Sequence, residues 1–206
     1  MLPEKADVMI VDQQARAAAP HPTGRASGPP AADGRRPTPR LHAAVLDTPV
    51  GTLAAVVSAK GAATHLLFDG DRSHAELEAA LGAGPGDVAW NTGRCEPLLA
   101  QLREYFTGER RTFDHPLAPE GSAFERRVWA ALAEIPYGRT LSYGALARRL
   151  GDANLSRAVG RANGANPLPI VVPCHRVIGA SGKLVGYGGE LWRKEALLRL
   201  EGALLL

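Results

Sequence analysis

The sequence predicts an α+β protein: a small N-terminal antiparallel sheet with helices, followed by a mainly helical C-terminal part that carries a helix-turn-helix. Three observations predict it. Short apolar runs separated by turn residues fill residues 41–68, and apolar residues at helical spacing occupy 124–135. A helix, a glycine turn and a second helix then follow between 143 and 165. A chain of 206 residues is long enough for one or two apolar cores.

Residues 1–40 are rich in Ala, Pro, Gly and Arg without a sustained apolar period, and they read as a disordered tail. Residues 41–120 read as an N-terminal α+β domain. Leu41–Leu46, Thr52–Val57 and Ala62–Phe68 are apolar runs separated by TPVG and AKG, the pattern of an antiparallel meander. Ser73 with Glu76 forms a capping box for a short helix. Leu98, Leu99, Leu102 and Phe106 give the stripe of a second helix that ends near Gly108, with Cys95 just before it.

Residues 121–206 read as a C-terminal domain. Ser122 and Glu125 cap a helix whose apolar positions are Phe124, Val128, Ala131, Leu132 and Ile135, stopped by PYG. Tyr143–Leu150 then reads as a helix, Gly151 as the turn and Asn154 as the cap of the next helix. The surface of that second helix combines small residues, Ala158, Gly160 and Ala162, with Arg157 and Arg161. Small residues permit close approach to a nucleic-acid groove, and tight packing between helices would select them too.

Composition narrows the class. A 45% hydrophobic and 22% charged chain is ordinary for a soluble globular protein. No apolar run approaches the roughly 18 residues that cross a bilayer, so no membrane partner is expected. The start, MLPEKADVMIVDQQAR, is acidic early and its apolar stretch is too short for a secretory signal. Two cysteines without CxxC spacing argue against a disulfide framework or a zinc site, and free thiols suit a cytoplasmic location. His42, His65 and His74 have no metal-ligand spacing, so neither metal nor cofactor is expected. Residues 121–206 hold 12 Lys/Arg against 6 Asp/Glu, whereas residues 41–120 hold 6 against 11. That asymmetry points to a polyanion met by the C-terminal part, although a solvated basic face has the same charge.

The chemistry concentrates in NPLPIVVPCHRVIGASGKLVGYGG. Ile170–Val172 reads as a short strand leading to Cys174 and His175. A cysteine beside an imidazole is a candidate nucleophile, because the base favours the thiolate. On a strand, adjacent side chains point to opposite faces, so a bent backbone or a bridging water would have to link the two. A carboxylate must then orient the histidine, and Glu201 near the end of the last helix is the candidate. A cysteine hydrolase, a non-catalytic DNA binder and a helix-turn-helix regulator are the alternatives. The first lacks a Gly-rich oxyanion motif, the second would not need Cys174, and the third lacks an effector domain.

PCHRV, preceded by ANPLPIVV and followed by GYGG, resembles the active-site signature of the O6-alkylguanine-DNA alkyltransferases, the methylated-DNA–protein-cysteine methyltransferases. VWAALAEIPYGRTLSYGALARRLG, the RAVG helix and LWRKEALLRLEG follow the same family's order, and DTPVGTLAAVVSAKG, LREYFTGER and FDHPLAPEGSAF extend the similarity over about residues 41–201. The resemblance implies irreversible transfer of an alkyl group from O6 of guanine in double-stranded DNA to Cys174, by a monomer, with cooperative binding along DNA as an open possibility. His175 would deprotonate Cys174 through a water, with Glu201 behind it, and Tyr143 would face N3 of the flipped guanine. Arg157 would fill the gap in the duplex, on a helix that also presents Ser156, Ala158, Gly160 and Arg161 to the minor groove. Asn166 would act as the hinge, and Pro169, Val177, Tyr187 and Gly188 would form the pocket, with carbonyls near Cys174 and Val177 reading the exocyclic amine. The chain departs from the family pattern at three positions: Asn163, where the family usually has an apolar residue; Gly188, where some members have a hydroxyl residue; and Glu190, where glycine is common.

Overall fold

The computed structural model of the chain describes residues 39–68, 70 and 72–204. The tail expected over residues 1–40 lies outside the described residues except for Pro39 and Arg40, and Arg40 already joins the sheet by donating its backbone N–H to Asp87. Strands β1 (Leu41–Leu46), β2 (Leu53–Ser58) and β3 (Ala63–Phe68) form the predicted meander, with register from Leu41 opposite Ser58 to Leu46 opposite Leu53. A short strand β4 (Val88–Trp90) adds to the free edge of β1 in parallel, giving the order β3-β2-β1-β4. The sheet is therefore mixed rather than wholly antiparallel. Three residues of VAW carry too little periodicity to reveal such a strand.

β2 is covered on both sides, which explains its unbroken apolar run. Leu53, Ala55 and Val57 face one core, while Ala54 and Val56 face a smaller one with Leu77 and Val88. Leu77 belongs to α1 (His74–Ala80), capped by the predicted Ser73–Glu76 box. The opposite face receives α2 (Thr92–Phe106), whose inner stripe is Cys95, Leu98, Leu99, Leu102 and Tyr105. Two details differ from the sequence reading. Cys95 lies inside the first turn of α2, not before it, because Asn91 supplies the cap. Tyr105, not Phe106, is the fully buried aromatic at the end of the stripe.

The same core continues into α3 (Ala123–Ala133), α4 (Tyr143–Arg149), α5 (Ser156–Gly164) and α6 (Leu191–Leu200). Ser122 and Glu125 form the predicted capping box of α3. The expected Asn154 cap does not form: Asp152 caps a single 3₁₀ turn over Ala153–Leu155, Asn154 sits within that turn, and α5 starts without a side-chain cap. Trp129 of α3 ties down α5 by donating from its indole N–H to the Ala162 carbonyl at 2.8 Å. α4 and α5 keep the helix-turn-helix outline.

Candidate active site

The segment from Asn166 to Val177 positions the cysteine, and it is not the strand expected at Ile170–Val172. It is a series of tight turns: Val171 N–H donates to Pro169, Val172 to Leu168, Cys174 to Val172 and Arg176 to Pro173. Residues 168–177 are all buried, so a lone strand would have left its backbone groups unpaired, whereas turns satisfy them locally. Ile170 has φ of 73°, a conformation that a β-branched residue adopts at a cost of about 1–3 kcal/mol. The surroundings hold it there. Asn166 donates from Nδ2 to the Val172 carbonyl at 2.8 Å and accepts from the Leu168 N–H at 3.0 Å, stapling the end of α5 to this loop. The edge strand β3 braces the loop from outside, with Leu66 N–H donating to the Pro167 carbonyl.

Cys174, His175 and Arg176 form one 3₁₀ turn. Neighbouring side chains therefore do not point to opposite faces as they would on a strand, which removes the geometric objection to Cys174 and His175 acting together. Cys174 opens onto a pocket of about 380 Å³ lined also by Asn163, Asn166, Pro169, Tyr187 and Gly188. Burial pushes its thiol up to about 11, opposed by Asn166, the Lys194 charge and the backbone N–H of His175.

His175 is fully buried, and its Nε2 lies 2.8 Å from Glu201 Oε1. The carboxylate must accept, so Nε2 carries the proton and Nδ1 keeps its lone pair. Nδ1 has no hydrogen-bond partner among the described residues. Burial holds the ring below its ordinary pKa, against the pull of Glu201, so the imidazole stays neutral and available as a base. Glu201 also accepts from Tyr105 Oη, from Nε and a terminal nitrogen of Arg176, and from the Gly138 N–H. Burial alone would raise its pKa, but the bonds from His175 and Arg176 outweigh this and hold it at about 2. Gly138 has to be glycine: its φ is 72°, and a Cβ would stand 2.9 Å from the Glu201 carbonyl oxygen.

Residues 123–203 match the family described as "6-O-methylguanine DNA methyltransferase, DNA binding domain". A methylated-DNA–protein-cysteine methyltransferase of Mycolicibacterium paratuberculosis is 62% identical over 119 residues, covering 57% of this chain and 72% of that protein. Its counterpart in Mycobacterium leprae is 42% identical over 163 residues, covering 78% and 92%. The chain belongs to the methylated-DNA–protein-cysteine methyltransferase family. The crystal structure of the Mycobacterium tuberculosis O6-methylguanine methyltransferase matches with a TM-score of 0.69 at 42% identity, over 79% of this chain and 93% of that one. A structure of Mycobacterium tuberculosis OGT in complex with DNA matches with a TM-score of 0.68.

The other residues expected of this methyltransferase divide into two groups. Asn166, Pro169, Tyr187 and Gly188 line the pocket with Cys174, whereas Val177 does not: it is fully buried, and its carbonyl accepts from Lys194 Nζ at 2.6 Å. Tyr143 also lies outside the lining, with its hydroxyl donating toward the carbonyls of Val185 and Gly186. On α5, Arg157 and Arg161 are exposed, Ser156, Ala158 and Gly160 are half-buried, and Val159 and Ala162 face inward. Gly188 leaves room where a side chain would meet only the Gly164 carbonyl at 3.6 Å. Glu190 adopts a φ of 69°, a conformation that favours glycine, and its carboxylate accepts from the Trp192 indole N–H at 2.6 Å.

Three contributors escaped the sequence reading: Tyr105, Arg176 and Lys194. Lys194 is fully buried, and its Nζ gathers the carbonyls of Val177, Val185 and Gly186. Burial brings its pKa down to about 8, partly offset by Cys174. The signal existed, because Lys194 shares the inward spacing of Leu197, Leu198 and Glu201 on the last helix. Cys95, by contrast, is packed against the sheet, its thiol near the carbonyls of His42 and Ala55.

Proposed function

We propose that this methyltransferase reverses O6-alkylation of guanine in duplex DNA directly, with Cys174 as the acceptor. The observation that carries the reading is the pairing of a pocket-facing Cys174 with a fully buried His175–Glu201 couple. The thiol at about 11 would be almost wholly protonated at neutral pH, so a base must take its proton during attack. His175 Nδ1 takes it through one bridging water, and the resulting imidazolium is stabilised by Glu201.

Sulfur attacks the alkyl carbon. The new S–C bond forms as the bond from carbon to O6 breaks, and guanine leaves with the electron pair. Tyr143, half-buried near Cys174, supplies a proton at N3, so the leaving base is not expelled as a free anion. The product is a thioether, inert to hydrolysis by the groups around it. The alkylated base reaches Cys174 only out of the stack. Arg157, exposed on α5, occupies the gap it leaves, while Ser156, Ala158, Gly160 and Arg161 lie along the minor groove. The parts before and after residue 120 divide the labour: the sheet braces the loop, and the helices bind DNA and carry the chemistry.

Counting repaired bases per protein molecule tests the reading. One equivalent is expected. Continued turnover would mean a hydrolase, and no repair at all would mean a binder.

A further inference from the structure

Tyr105 reaches the buried couple from α2, in the part of the chain that carries the sheet. Its ring is fully buried against Phe106, Phe113 and Tyr137, and its hydroxyl donates to Glu201 Oε1 at 2.8 Å. Burial and the Glu201 charge push the phenol well above its ordinary pKa, so it remains a neutral donor. The same Oε1 accepts from His175 Nε2 and from a terminal nitrogen of Arg176, each at 2.8 Å. Oε2 accepts from Arg176 Nε and from the Gly138 N–H. A carboxylate has about four lone-pair sites, so these donors divide a limited negative charge between them.

The share taken by each donor bears on the base. A carboxylate bonded to a buried histidine draws the ring toward imidazolium, and a ring protonated at rest has no lone pair at Nδ1 for the thiol proton. Resting on the reading of His175 as the base, we propose that Tyr105 is a positioning residue for it. By sharing Glu201 Oε1 with His175, the Tyr105 hydroxyl weakens the pull of the carboxylate and keeps the ring neutral. The strength of the base is thus set in part from α2, by a side chain that does not line the Cys174 pocket. The other charged and titratable groups facing the couple are Arg176 from its own turn, Lys194 from α6 and Tyr137 after α3, with Arg111 over the Tyr137 ring. A substitution at Tyr105 leaves all of them in place.

Tyr105→Phe removes the hydroxyl and keeps the ring. Single-turnover transfer from saturating O6-methylguanine duplex should proceed at nearly equal rate constants in variant and wild type at pH 8. Toward pH 5 the variant should fall about three- to tenfold behind, because the proton affinity of the ring rises by that factor. The rate constant reads only folded molecules; unfolded ones appear as lost amplitude. At neutral pH the His175 Nε2 proton, observed by NMR, should move downfield as its bond to Oε1 strengthens. 3-Fluorotyrosine at position 105 is a stronger donor, should move both readouts the other way, and serves should the phenylalanine variant not fold. A rate ratio constant across pH, or a ring proton that stays in place or moves upfield, overturns the proposal. The ring proton needs no transfer to be read. If it shifts as expected while the wild type places no methyl group on Cys174, the reading of the pocket has failed and not the control of His175 by Tyr105.

Discussion

Replacing Glu201 by Gln keeps the volume of the side chain but removes the charge on which the buried couple depends. Glu201 accepts from His175, Tyr105, Gly138 and twice from Arg176, whose side chain is only 7% exposed. Its pKa of about 2, against an ordinary 4.5, corresponds to about 3 kcal/mol of stability at neutral pH. Breaking a buried ion pair from one side costs about 3–5 kcal/mol, so the two routes agree. For a chain of this size, about 3–5 kcal/mol is a fall in Tm of about 6–20 °C. The sign follows from a folded pKa depressed below the unfolded one. The contribution is complete above about pH 4.5, falls to about half by pH 3 and vanishes toward the folded value near pH 2. Thermal unfolding of wild type and Glu201→Gln, measured from pH 7 down to pH 3, should show the gap narrowing as the solution is acidified. A gap of the same size at pH 3 and pH 7 would refute the ionised carboxylate as the centre of the network.

Other perturbations separate the remaining roles. Arg157→Ala should slow repair of duplex DNA far more than transfer from free O6-alkylguanine base, which needs no extrusion; equal slowing would place Arg157 in the pocket or in the fold. Tyr143→Phe should slow both reactions, by roughly 10²-fold if acid assistance is lost, as read from single-turnover rates. Cys95→Ala should retain transfer and DNA binding, whereas Cys174→Ala should retain binding alone in a mobility-shift assay.

The parts legible in the sequence were those written in short-range pattern. Both capping boxes, the meander and the helix-turn-helix outline all follow from spacing within a few residues. The missed parts depend on contacts far along the chain. Tyr105 meets Glu201 across 96 positions, so no local period announces its hydroxyl. Arg176 reads as a basic residue after a Cys-His pair until the structure turns it inward onto Glu201 and the Ile135 carbonyl. The apolar run at Ile170–Val172 reads as a strand, yet among the described residues no strand pairs with it and the loop resolves its backbone into turns. Periodicity cannot distinguish a buried run that has a ladder partner from one that has none.

The central claim is that Cys174 takes the alkyl group, and peptide-level mass spectrometry tests it most directly. Wild-type protein mixed with an excess of O6-methylguanine duplex, then digested, should carry one methyl group on the peptide containing Cys174 and none on the peptide containing Cys95. A methyl group on Cys95, or repair of the duplex with both cysteines unmodified, would contradict the account.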